Sequence, residues 1–87
     1  MVFEYDNNKS DANREKHGIG FDEAQALWED DRMLEAPLKY PYESRFLCVG
    51  KIGPKHWSAI VTYRSGAVRI ISVRRSREEE IQHYENS

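Results

Sequence analysis

With 87 residues the chain is long enough for one small domain, residues 1–87, and too short for two independent cores. Its 39% hydrophobic content, with two Trp, five Tyr and three Phe, excludes a disordered chain, while the lone Cys48 excludes an internal disulfide. The formal net charge of -2 divides by region into -6 over residues 1–36, +8 over 37–77 and -4 over 78–87, so a positive field for phosphates or an acidic partner is confined to the middle.

The opening Met-Val-Phe-Glu-Tyr-Asp has neither a basic segment nor an apolar stretch, and no run nears the roughly 18 apolar residues of a membrane span. A cytoplasmic protein with no membrane association is expected. His17, His56 and His83 have no second thiol or paired spacing that suggests zinc, so neither a metal nor another cofactor is expected.

In chain order, Val2 to Tyr5 reads as a strand with Phe3 and Tyr5 on one face, followed by the turn-prone Asp6-Asn7-Asn8. Good helix formers from about Asn8 to His17 end at Gly18, the usual left-handed stop. A second helix is predicted with Asp22 as its cap, Gln25 as capping-box partner, and Ala24, Leu27 and Trp28 as its apolar stripe. Met33 to Ala36 reads as a short edge strand, and Pro37 to Tyr42 as a loop, because neither proline donates to a ladder. Three strands rich in β-branched and aromatic residues follow, at about Arg45–Lys51, His56–Arg64 and Ala67–Arg74. Ser76 is predicted to cap a final helix, with Glu79 as its capping-box partner and Ile81 and Tyr84 as its buried stripe. The order gives an α+β fold: an antiparallel sheet of about four to five strands, two N-terminal helices and a C-terminal helix.

The two residues Ser65-Gly66 fix a hairpin register in which Arg64 faces Ala67, Tyr63 faces Val68 and Thr62 faces Arg69. Trp57, Ala59, Val61, Tyr63, Val68, Ile70 and Ser72 then form a core face. The opposite face carries Ser58, Ile60, Thr62, Arg64, Arg69, Ile71 and Val73, with Arg64 and Arg69 diagonally adjacent. An anion between the two guanidinium groups relieves their repulsion, although two arginines on a bare sheet face are also ordinary.

Glu43 is the only acid between residues 37 and 77, which suits either a general base or a local ion pair with Arg45. His17 beside Lys16 at a helix C-terminus fits a cap as well as a proton carrier. Tyr84 suits base stacking or core packing. Cys48 and Met33 read as core filler.

Taken together, Phe3-Glu4-Tyr5-Asp6, Lys9, Asn13, Lys16-His17-Gly18-Ile19, Phe21, Glu23-Ala24, Glu43-Ser44-Arg45-Phe46, Gly50, Arg69-Ile70-Ile71-Ser72-Val73-Arg74, Glu80 and Tyr84 resemble the BrnT family. The resemblance spans nearly the whole chain. It implies a cytoplasmic ribonuclease toxin of a bacterial type II toxin–antitoxin pair with a RelE-like fold, cleaving RNA without metal by attack of a ribose 2′-hydroxyl and so inhibiting translation. On that reading Glu43 or His17 transfers protons, and Arg64, Arg69 and Arg74 stabilise the phosphorane, while Lys16, Arg45, Lys51, Arg75 and Tyr84 bind RNA. The implied partner is a BrnA-like antitoxin with a ribbon-helix-helix DNA-binding half, so that promoter DNA is reached only through the antitoxin. The alternative is a weakly active or inactive homologue serving as an antitoxin-binding co-repressor. Arg64→Ala and Arg74→Ala are expected to lose rate without unfolding the domain.

Overall fold

The computed structural model describes all residues 1–87 as an α+β domain. The strands are β1 (Val2–Glu4), β2 (Leu34–Leu38), β3 (Arg45–Ile52), β4 (Lys55–Arg64) and β5 (Ala67–Arg75); the helices are α1 (Asn7–His17), α2 (Phe21–Ala24) and α3 (Glu78–Glu85). One sheet runs β1-β5-β4-β3-β2. It is mixed, which corrects the antiparallel expectation: β1 lies parallel to β5, and the remaining pairs are antiparallel. The second helix is likewise shorter than expected, a single α turn that runs into a 3₁₀ segment over Gln25–Glu29.

Local signals account for most boundaries. The Asp6 carboxylate accepts from the N–H groups of Asn8 and Lys9 and starts α1, which stops at Gly18 in the left-handed region. Two caps differ from expectation. α2 starts from Gly20, whose N–H donates to Glu23 Oε1, and α3 starts from Arg77, whose N–H donates to Glu80 Oε1. Pro37 sits inside β2 rather than in a loop, because β2 is the sheet's edge and needs no donor on its outer side.

Between β4 and β5 the turn forms as predicted, with Ser65 at φ 49° and Gly66 at φ 82°. The pairs Arg64/Ala67, Tyr63/Val68, Thr62/Arg69 and Val61/Ile70 match, and then the register shifts at a β-bulge. Ile71 is the extra residue. Beyond it Ser72 faces Ile60, Val73 faces Ala59, and Arg74 faces Ser58. The expected faces of Ser72 and Val73 are therefore exchanged, and Val73 is a fully buried core residue.

The inner face of the sheet packs Cys48, Trp57, Ala59, Val61, Val68, Ile70 and Val73 against Ile19, Phe21, Ala24 and Leu27. Phe3 meets Trp28 and Tyr5 meets Phe21 edge-on, fixing β1 to this core. On the outer face, α3 covers only one end of the sheet and is held there through Glu80 on Ser58 and Arg74.

α1 has no apolar stripe, and its two buried residues, Ser10 and Asn13, are polar. Hydrogen bonds dock it instead. Ser10 Oγ accepts from Phe21 N–H, while the Asn13 amide donates to Ile19 and Val73 carbonyls and accepts from Val73 N–H. Asn13 thereby pairs with the backbone of β5 just past the bulge, where β1 has ended. Asn13→Ala, which leaves these buried groups without partners, is expected to cost about 2 kcal/mol in urea unfolding at pH 7. An unchanged midpoint would show that water replaces the amide.

Candidate functional site

The end of the outer face that α3 leaves open gathers charged side chains from four strands and the segment before β3. Register places Glu4 of β1 beside Arg69 of β5, and Arg69 beside Thr62 of β4. The next strand brings Arg45, opposite Leu38 of β2, to the same face by alternation from the Phe46/Val61 pair. Arg64 lies two residues beyond Thr62 on β4, again on this face. Thr62 is buried at the centre, and its Oγ1 donates to the Ser44 carbonyl at 2.7 Å, which pins the Glu43-Ser44-Arg45 segment across the end of β4.

The ion pairs on this face have distinct geometries. Arg45 Nε donates to Glu43 Oε2 at 3.0 Å, and its guanidinium lies 3.6 Å from the ring centroid of Tyr40. Arg64 and Arg69 converge on one acceptor, with Glu4 Oε1 at 3.8 and 3.6 Å from their Nη1 atoms. The two arginines therefore share a side as the hairpin register requires. The anion between them belongs to the chain itself.

His17 and Lys16 lie at the end of α1, where with Lys9, Ala12 and Asn13 they line a shallow cleft reaching Ile71 and Ser72. His17 makes no ion pair with Glu43, whose partner is Arg45. The two candidate proton carriers thus stand at opposite flanks of the sheet, one beside β5 and one at the start of β3.

Arg74 is occupied elsewhere. Its Nη1 and Nη2 donate to the two Glu80 oxygens at 2.8 and 2.9 Å, and Ser58 Oγ donates to Glu80 Oε1 as well. The Arg74 hydrogen bonds hold the Glu80 carboxyl down at about 2. Three of its five N–H donors are thus taken by Glu80 and the Arg75 carbonyl, so Arg74 stands apart from the arginine cluster as a clasp for α3.

Lys51, Arg75 and Tyr84 also separate from the arginine cluster. Lys51 is six residues along β3 from Arg45, about 20 Å away, and Arg75 pairs with Trp57 and places its guanidinium over that ring. Tyr84 is 3% exposed, set between Arg32 and His56, and its hydroxyl donates to Asp30 Oδ2 at 2.7 Å. Base stacking by Tyr84 is therefore corrected to core packing. Burial raises the Asp30 pKa, but hydrogen bonds from Tyr84, Lys51 N–H and Arg32 N–H outweigh it and lower the pKa overall. Beside them His56 Nε2 and Glu85 Oε2 are 2.7 Å apart, closing this end of α3 onto β4.

Sequence reasoning missed Glu4, Thr62 and Asn13 as site or scaffold residues. Thr62 was visible in the hairpin register as Arg69's partner, whereas Glu4 depended on a parallel pairing that no local pattern announces. Cys48 is buried as expected; burial, then the nearby Glu35, pushes its thiol up to about 12, which leaves no reactive thiolate near neutral pH. No group of three or more His, Cys, Asp or Glu side chains is placed to hold a metal ion.

Guanidinium groups gathered on one open sheet face define a small α+β protein suited to a polyanionic ligand. Residues 5–80 match the family of BrnT, the ribonuclease toxin of type II toxin-antitoxin systems, and the chain belongs to that family. Comparison with curated proteins finds no match. A ribonuclease toxin family of this type implies an RNA target and a protein antitoxin. No helix is long and apolar enough to cross a membrane.

Proposed function

We propose that this chain is a RelE-like endoribonuclease that cuts RNA at the open outer face of its sheet. The observation that carries the reading is the convergence of Arg45, Arg64 and Arg69 around Thr62, with Glu43 at the rim. Arg64 and Arg69 hold the scissile phosphate, and their charge offsets the negative charge that grows on the phosphorane. Glu43, positioned by Arg45, takes the proton of the ribose 2′-hydroxyl as that oxygen attacks the adjacent phosphorus. The P–O5′ bond breaks to leave a 2′,3′-cyclic phosphate, and the leaving oxygen takes its proton from water on this open face, while His17, in its cleft beside β5, contacts RNA away from the scissile phosphate. Lys16 and Lys9 extend the positive track along α1. These steps need correct placement, a base and fixed positive charge, all of which the open face carries.

A BrnA-like ribbon-helix-helix antitoxin neutralises the toxin, and the pair reaches promoter DNA through the antitoxin. One observation favours the co-repressor reading as well: Arg45, Arg64, Arg69 and Arg74 are each paired with a carboxylate of the chain. Expression separates the two. An active toxin is expected to halt growth and bulk translation when induced alone, with recovery when the adjacent antitoxin gene is co-induced. Purified protein is expected to cut RNA in excess chelator and leave 2′,3′-cyclic phosphate ends. Normal growth with abundant soluble protein would establish the co-repressor role, and activity lost to chelator and restored by magnesium would refute the metal-independent route.

A further inference from the structure

We propose that Glu4 is an internal occupant of the Arg64–Arg69 anion seat, and that an RNA phosphodiester binds there by displacing it. This inference rests on the reading of the open sheet face as the RNA site and adds to it a built-in competitor. Parallel pairing of β1 with β5 sets Glu4 directly beside Arg69, and a single oxygen, Oε1, faces both guanidinium groups.

The contact attracts without saturating. Charge-assisted N–H···O bonds run about 2.7 to 2.9 Å, whereas the Glu4 oxygen stays 3.6 and 3.8 Å from the two Nη1 atoms. The fork donors of Arg64 and Arg69 therefore remain available. Arg74, by contrast, forms both of its short bonds to Glu80. Exposure separates the pairs in the same sense: the Glu4, Arg64 and Arg69 side chains are 40%, 58% and 34% exposed, against 11% and 21% for Glu80 and Arg74. Exposed pairs of this kind are weak and screened by salt. A phosphodiester carries two non-bridging oxygens and can accept from both arginines at hydrogen-bonding distance, which the single Glu4 oxygen does not do. With Glu4 in place the two cations have a net charge of one. Once a phosphate enters, the displaced carboxylate moves to solvent from its place on the edge strand.

Glu4 thus lowers affinity for anions at this seat and does so more strongly at low salt. Neutralising it is expected to tighten phosphate binding about fivefold, the scale of an exposed ion pair. The test follows the Arg64 and Arg69 Nε–H resonances by NMR during titration with inorganic phosphate, in the intact chain, in Glu4→Gln and in Glu4→Gln/Arg69→Ala. In parallel, fluorescence anisotropy measures binding of a 2′-O-methyl single-stranded RNA, which has no free 2′-hydroxyl and is not cut. Tighter binding of both probes to Glu4→Gln, with the gain abolished in the double variant, supports the proposal. Equal or weaker phosphate binding by Glu4→Gln overturns it, as does a gain that survives loss of Arg69, since that outcome reports overall charge alone. Glu4→Ala, on an exposed strand end, repeats the measurement without an amide to replace the carboxylate. A chain that gains phosphate affinity through Glu4→Gln yet cuts no RNA would refute the ribonuclease reading while leaving the occupied seat intact.

Discussion

Arg74→Ala is expected to lower stability at pH 7 by about 3 kcal/mol, because it leaves a mostly buried carboxylate without its counter-charge. Glu80 accepts from both Arg74 nitrogens, from Ser58 Oγ and from Arg77 N–H, so one carboxylate ties β4, β5 and the first turn of α3. Its pKa falls from 4.5 to about 2, with the Arg74 hydrogen bond the largest cause. A depressed carboxyl stabilises the fold fully above its unfolded value and loses that contribution as pH drops through its folded value. The window therefore runs from about pH 4.5 down to about 2. Urea unfolding at pH 7 and at pH 3 checks this: the gap between the parent chain and Arg74→Ala should narrow at the lower pH. Equal stability at pH 7 would show that Ser58 and the Arg77 N–H suffice. On sequence grounds Arg74→Ala costs rate and no stability; the burial of Glu80 reverses the stability half of that expectation.

The parts of the fold that were legible are those with local chemistry. Gly18 ends α1, Ser65-Gly66 turns the last hairpin, and the β-branched runs of β3, β4 and β5 fall within a residue or two of their observed bounds. What was illegible depended on long-range pairing. β1 is three residues long and joins β5 in parallel, so nothing near Glu4 in the sequence announces Arg69. The bulge at Ile71 is equally silent, yet it turns Val73 into the core and presents Arg74 to Ser58 and Glu80. Arg64 and Arg69 could be gathered from hairpin register alone, whereas Arg45 reaches their face through a β3–β4 pairing that the sequence reading did not set. Arg74, Lys51, Arg75 and Tyr84 could not be sorted from them, because a basic block in sequence does not say which end of a sheet each side chain occupies.

That sorting separates rate from general attraction. Arg69→Ala is expected to slow single-turnover RNA cleavage on the order of 100-fold, since it removes a fixed positive group from the place where the phosphorane charge develops. Arg64→Ala acts through the same phosphate and should fall in the same range, with the double variant less than multiplicative because the two share one oxygen partner. Lys51 and Lys55 stand at the opposite end of β3 and β4, about 20 Å from Arg45, and act on RNA only through a screened field. Their alanine variants should weaken binding a few-fold at low salt and lose that difference at high salt. Thermal melts should stay close to the parent for all four, because the two arginines lie on the open face and the two lysines at strand ends beside the β3–β4 turn, where substitutions cost within about 0.5 kcal/mol. The experiment is single-turnover cleavage at low and high salt beside a melt of each variant. If the lysine variants lose as much rate as Arg69→Ala, or if the arginine deficit vanishes at high salt, then Arg64 and Arg69 act as part of a diffuse field and the scissile phosphate lies elsewhere on the sheet.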